Sequence, residues 1–221
     1  MGMGTRRTTY TAVANVYDAF LTLTGFKRGV ENFLDRVAFD LPAQSKILDA
    51  GCGTGLVARY LARRFPRAKI YATDIDKSML REMRRLIAND RTNGNVTLAV
   101  SDLENPGRLE LLDGALCTIP EHSLDAVTVS GALEHVPLEA SVAALTRLLK
   151  PGGIFFNLGM RRTPAGAVLG MVYHAKPYTL AEIRRAYTHS SLDNIRALRL
   201  GVEDFPANLS RIAIIARKGS A

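Results

Sequence analysis

The stretch Ile47-Leu-Asp-Ala-Gly-Cys-Gly-Thr-Gly55 constrains the fold more than any other part of this sequence. An apolar, strand-like run leads straight into glycines at 51, 53 and 55, and helical spacing begins at Leu56. Strand, glycine turn and helix together open a βαβ unit. In an open parallel sheet, the crevice at the carboxyl ends of the strands is where ligands bind. Glycines there let the chain turn tightly and let a ligand lie against the main chain. The dinucleotide fingerprint G-x-G-x-x-G does not fit, because its third glycine would fall on Leu56. Asp49, just before the turn, would repel a pyrophosphate but suits a ligand bearing ammonium and sulfonium groups. The expected ligand is cationic near this loop.

Strand and helix patterns alternate along the rest of the chain. Helices are expected over Thr11–Leu23, Lys27–Ala38, Leu56–Phe65, Ser78–Ala88, Leu138–Leu149 and Leu180–Tyr187. Strands are expected at Lys46–Ala50, Lys69–Asp74, Val96–Asp102, Leu124–Ser130, Ile154–Leu158, Ile195–Leu200 and Arg211–Arg217. Lys150-Pro-Gly-Gly153 terminates the helix before it. The alternation implies a parallel sheet covered by helices on both faces. The last two strands have no helix between them, so they join as an antiparallel edge. One α/β domain, residues 1–221, is expected, with a helical lid over 1–40 and the α/β core over 41–221.

Composition narrows the class further. With 47% apolar and 23% charged residues, the chain is neither disordered nor fibrous. No apolar run is long enough to span a bilayer, and the first residues lack the core of a signal peptide. Arg6 stands where myristoylation needs Ser or Thr. Two cysteines, Cys52 and Cys117, give no disulfide framework, and no metal site is expected. A cytoplasmic location, peripheral to the membrane where contact occurs, is the expectation. The net charge of +8 is concentrated: residues 1–139 carry 17 basic and 17 acidic side chains, residues 140–221 carry 12 and 4. That asymmetry is consistent with solvated helix faces, or with a partner that is a lipid surface, an acidic substrate or nucleic acid.

Three further positions fit a nucleoside-bearing ligand. Asp74 ends the second strand, where a carboxylate can accept from both hydroxyls of a ribose. Ile75 follows it and offers an apolar face to an adenine ring. Asp102 ends the third strand and can accept from the adenine amino group, while the Leu103 amide donates to the ring. Asp113, in the acidic turn Leu111-Leu-Asp-Gly-Ala115, is the alternative for the adenine.

In these stretches the sequence resembles the class I S-adenosylmethionine-dependent methyltransferases. The resemblance is carried by LDAGCGTG (48–55), YATDIDKSML (71–80), NVTLAVSD (95–102), LDAVTVSGALEHV (124–136) and LLKPGGIFF (148–156), in family order. It implies a Rossmann-like seven-stranded sheet of order 3-2-1-4-5-7-6. It also implies that Asp49, Gly51, Gly53, Gly55, Asp74, Asp102 and Ser130 border S-adenosylmethionine. The segment between Asp102 and Leu124 is longer than the family usually has. Tyr10 to Asp18 and Thr24 to Arg28 resemble the start of quinone-biosynthesis and small bacterial phospholipid methyltransferases. Tyr10 or Tyr17 then covers the sulfonium face, and Arg28 pairs with the cofactor carboxylate.

Methyl transfer from a sulfonium is an in-line displacement, and it needs a base only when the acceptor must lose a proton. Ser130-Gly-Ala-Leu after the fourth strand lacks the motif of enzymes that methylate base amines, and neither cysteine follows a proline. His135 is the leading candidate for a base, with Glu134 a weaker one and His174 closing the pocket opposite. Residues 157–177 mix Met160, Val168, Leu169, Met171, Val172 and Tyr173 with Arg161, Arg162 and Lys176. That mixture suits transient contact with an anionic membrane and a small, apolar or lipid-like acceptor. The alternatives are a soluble aromatic acceptor, an RNA partner, which the absent motif disfavours, or a protein that binds the cofactor without catalysis.

Overall fold

A computed structural model of the chain describes residues 22–88, 94–164 and 175–220. Its elements begin with α1 (Phe26–Asp35), β1 (Lys46–Ala50), α2 (Leu56–Arg64), β2 (Lys69–Asp74), α3 (Lys77–Ala88) and β3 (Val96–Val100). They continue through β4 (Arg108–Leu111), β5 (Leu116–Thr118), β6 (Leu124–Ser130), α4 (Leu138–Leu148) and β7 (Leu149–Met160). The last are α5 (Leu180–His189), β8 (Leu192–Leu198) and β9 (Arg211–Lys218). The helix expected over Thr11–Leu23 lies outside the described residues except for Thr22 and Leu23, which are helical, and Tyr10 and Tyr17 lie outside them.

All the strands form one mixed sheet in the order β5-β4-β3-β2-β1-β6-β7-β9-β8. The expectation of seven strands is therefore corrected to nine among the described residues. The unforeseen pair lies in the long segment after Asp102, where β4 adds antiparallel to β3 and β5 to β4. Four and three residues are too few for an alternation to stand out in sequence, and the acidic turn there is the hairpin's tip, with Gly114 at φ 92. With this hairpin set aside, the remaining strands run 3-2-1-4-5-7-6 in their own count. β9 lies antiparallel between β7 and β8, as the missing connecting helix requires.

Period-two alternation distributes the core. Ile47, Ile70 and Phe156 pack against Val30, Leu34, Leu61 and Leu80 of α1, α2 and α3. Their chain neighbours Leu48 and Phe155 face the other way, onto Val142 and Leu145 of α4 and Tyr187 of α5. Phe155 and Tyr187 meet edge to face with centroids 5.1 Å apart. Each such fully buried side chain contributes about 1.5–3 kcal/mol, so the strand ends are held firmly without help from any ligand. A second anchor fixes the loop before β9. Asp204 is fully buried, takes two bonds from Arg36, the residue that caps α1, at 2.6 and 2.8 Å, and accepts from the Gly201 N–H at 2.7 Å.

Candidate active site

The three glycines of the turn have positive φ, but they serve different ends. A Cβ on Gly51 would lie 2.3 Å from the Cβ of Ala132, and one on Gly55 would lie 2.5 Å from the Met83 sulfur. Those two let the turn after β6 and helix α3 pack close. Gly53 faces open space, with nothing within 4 Å. Its N–H donates to Asp74 Oδ2 at 2.8 Å, and the Asp76 N–H donates to Oδ1 at 2.9 Å. The glycine turn and the end of β2 are thus tied together by one carboxylate. Burial pushes the Asp74 pKa up, while the two backbone donors act against that shift.

Asp49 is buried at 1% exposure, next to β6. Thr128 donates to its Oδ1 at 2.7 Å, whereas its Oδ2 is buried without a partner. Burial, followed at a distance by the charge of Asp74, pushes its carboxyl up to about 7; the Thr128 and Ala58 donors pull the other way. An ammonium or sulfonium placed beside Oδ2 would stabilise the ionised form. Thr128 was not singled out in the sequence, although it stands opposite Asp49 in the β1–β6 register.

Along the same edge, Ile75 is 55% exposed beyond β2. Asp102 is exposed just past the carboxyl end of β3, with Oδ1 accepting from the Glu104 N–H at 2.9 Å. A Cβ on Gly51 would lie 3.7 Å from Leu103 Cδ1, so Leu103 borders the glycine turn. The other acidic candidate is carried elsewhere. Because β4 runs antiparallel to β3, the hairpin tip holding Asp113 points back toward the amino end of β3.

Ser130, the last residue of β6, is half-buried, and beyond it a turn carries Gly131 to His135. Glu134 is buried, not a free acid: its Oε1 accepts from the Met160 N–H and its main-chain oxygen from the Lys176 N–H. It ties the turn to the end of β7. His135 has an exposed edge, and partial desolvation lowers its pKa, Glu134 raising it and Arg211 lowering it. Its neutral form therefore prevails at pH 7. Arg28 is exposed on α1. Tyr17 and His174 lie outside the described residues, as do residues 168–173.

Two residues here went unnoticed in the sequence, Arg211 and Phe26. Arg211 opens β9, and its guanidinium stands 5.5 Å from the Phe26 ring centroid. The signal was present: the first residue of a strand antiparallel to β7 must lie at the carboxyl end of β7.

Comparisons with known proteins agree with this geometry. Residues 47–153 match a family model described as a methyltransferase domain. Over 139 residues the chain is 34% identical to the ubiquinone biosynthesis O-methyltransferase of Xanthomonas axonopodis pv. citri, covering 61% of this chain and 52% of that protein. This chain thus spans about half the length of that relative. Over 213 residues it is 24% identical to the ubiquinone/menaquinone biosynthesis C-methyltransferase of Pseudomonas paraeruginosa, covering 94% and 78%. Among solved structures, geranyl diphosphate C-methyltransferase from Streptomyces coelicolor A3(2), bound to S-adenosyl-L-homocysteine, superposes with a TM-score of 0.68. It shares 15% identity and covers 85% of this chain and 74% of that one, a likeness of fold.

Proposed function

We infer that this chain, a class I S-adenosylmethionine-dependent methyltransferase, methylates a small, partly apolar acceptor such as a quinone precursor or a phospholipid. The observation that carries the reading is the orphaned, buried oxygen of Asp49 beside a glycine turn that opens to empty space at Gly53. These residues fit S-adenosylmethionine. Asp49 would hold its ammonium end, Asp74 its ribose hydroxyls and Ile75 a face of its adenine, with Asp102 at the adenine amino group and the Leu103 amide donating to the ring. Gly51, Gly55 and Ser130 would shape the walls, and Arg28, exposed on α1, would pair with the cofactor carboxylate. When bound, the cofactor supplies an electrophilic methyl carbon on a sulfonium. His135, neutral at pH 7, holds the acceptor and takes its proton where an O–H or N–H must be lost. The core that surrounds the strand ends keeps water out and aligns the two partners.

The names of both relatives support a quinone-related acceptor. Transient contact with an anionic membrane is supported by the exposed Leu23, Val202, Phe205 and Leu209, and by exposed Arg162 and Lys176. Arg161 contributes less, since it is turned onto the Asn208 carbonyl, and Met160 is buried at the end of β7. Among the described residues no helix is long and apolar enough to cross a membrane. Several cations of the basic C-terminal third are engaged within the fold, which favours a small acceptor over nucleic acid. Arg147, Lys150, Arg185 and Arg217 pair with Glu121, Asp125, Glu139 and Asp40, and Lys218 bonds carbonyls at the end of α4.

The test is transfer of labelled methyl from S-adenosylmethionine onto fractionated quinone precursors, phospholipids and RNA. Label in either of the first two is expected, and label in RNA alone would overturn the reading. Co-sedimentation should favour anionic over neutral vesicles at low salt; equal partition would leave a soluble aromatic acceptor.

A further inference from the structure

The acceptor half of the crevice contains a cation, Arg211, that no carboxylate among the described residues pairs with. Arg211 stands opposite Met160 in the β7–β9 register, at the carboxyl end of β7. From there its guanidinium reaches the main chain just past β6. A Cβ on Gly131, which has φ +65, would lie 2.9 Å from Nη1 and 3.4 Å from Nη2. Glycine at 131 therefore makes room for the guanidinium. Nε and Nη1 are buried and have no hydrogen-bond partner, and among the described residues no carboxylate forms an ion pair with it.

This is an uneconomical arrangement for a residue that serves packing alone. Buried N–H groups of a charged side chain carry a desolvation cost that is recovered only when an acceptor takes them. Glu134 lies under the same turn but commits one oxygen to the Met160 N–H and does not pair with Arg211. The planar fork of a guanidinium matches two oxygens of one anionic group. Phe26 adds an apolar ring on one side. The charge of Arg211 also reaches His135, so an anion held by Arg211 lies next to the candidate base.

We propose that Arg211 is the anchor for an anionic group on the acceptor, a carboxylate or a phosphate borne on an apolar body. The assignment rests on the methyl-transfer reading and narrows its acceptor to an amphiphilic acid. Phe26 packs beside the anchored group, and the acceptor's nucleophile is thereby presented near His135. Arg211 binds and positions; it takes no proton.

The protein loaded with S-adenosylhomocysteine is titrated calorimetrically with benzoate, phenyl phosphate and, as the neutral control, benzyl alcohol. One of the anions is expected to bind at least tenfold more tightly than the alcohol, and which one distinguishes carboxylate from phosphate. Arg211→Met loses that preference, Arg211→Lys keeps part of it, and both bind S-adenosylhomocysteine within twofold of the parent protein. Proton NMR of the His135 ring supplies a second readout. A bound anion offsets the charge of Arg211, so the His135 pKa rises in the parent protein and stays put in Arg211→Met; should that variant not fold, Arg211→Lys carries the comparison. Equal binding of anions and alcohol by the loaded parent protein, or an anion preference that survives in Arg211→Met, overturns the assignment alone. Loss of S-adenosylhomocysteine affinity in Arg211→Met would also overturn it, giving the guanidinium to the cofactor carboxylate. A parent protein that does not bind S-adenosylhomocysteine at all would overturn the methyl-transfer reading with it.

Discussion

At the ends of β1 and β2, each carboxylate is held by donors that the sheet and the glycine turn supply. Asp74 takes the N–H groups of Gly53 and Asp76, and Asp49 takes the Thr128 hydroxyl from the adjoining strand. At the ends of β6, β7 and β9, the groups come from positions as far apart as 26, 131, 135 and 211, and the guanidinium has no hydrogen-bond partner on Nε or Nη1. The first half is organised by main chain and suits one unvarying ligand. The second is made of long side chains on separate elements and suits a ligand that differs among proteins with the same sheet.

Breaking the first half has the largest effect. Asp74→Ala removes two hydrogen bonds to a charged acceptor, each contributing about 1.5–3 kcal/mol, so S-adenosylmethionine affinity falls about a hundredfold or more by calorimetry. Unchanged affinity in a folded variant would remove Asp74 from the ribose.

His135→Ala probes the second half. Turnover drops about a hundredfold, the low end for a general base, while cofactor affinity holds. Because the His135 pKa is lowered, the parent activity falls only on the acid side of the ordinary histidine value as the ring protonates. That acid limb disappears in the variant, and full turnover would show that His135 is not the base.

Asp49→Asn gives a smaller and pH-dependent effect. With its folded pKa at about 7 and its unfolded value near 3.8, the cofactor-free protein keeps a proton that the unfolded chain has lost. The stability this confers is present below the unfolded value and lost as pH rises through 7. Cofactor binding runs in the opposite direction, since a cation favours the ionised form: affinity rises with pH to about 7 and then levels. Asp49→Asn loses about tenfold in affinity at pH 8, flattens that pH dependence and removes part of the stability slope, Asp74 supplying the rest. Chemical denaturation and calorimetry across pH 5–8 check both. The smallest effect separates the two adenine candidates. Asp102→Ala weakens binding by about tenfold or less and Asp113→Ala leaves it unchanged, measured in the same titration.

The two halves also differed in how far sequence revealed them. The cofactor half was legible because its groups lie within a few residues of the strand ends that position them, as Asp49 and the glycines do, and strand ends are marked by periodicity. The hairpin β4–β5 was not, because Arg108–Leu111 and Leu116–Thr118 carry too few alternations to compete with the loop signals around them. Arg211 was not, because nothing local sets it apart from other surface arginines. Only the antiparallel register of β9 against β7 places it beside Gly131. Glu134, the weaker candidate beside His135, is buried and ties the turn to β7 through one oxygen, while its Oε2 has no hydrogen-bond partner, a division that its place in the sequence does not reveal.

A crystal structure of the chain with S-adenosylhomocysteine tests the division between the halves most directly. The account predicts the ribose hydroxyls on Asp74, the amino group at Asp49 Oδ2, and Arg211 left free of the cofactor. A ribose away from Asp74, or the cofactor carboxylate seated on Arg211, would contradict it.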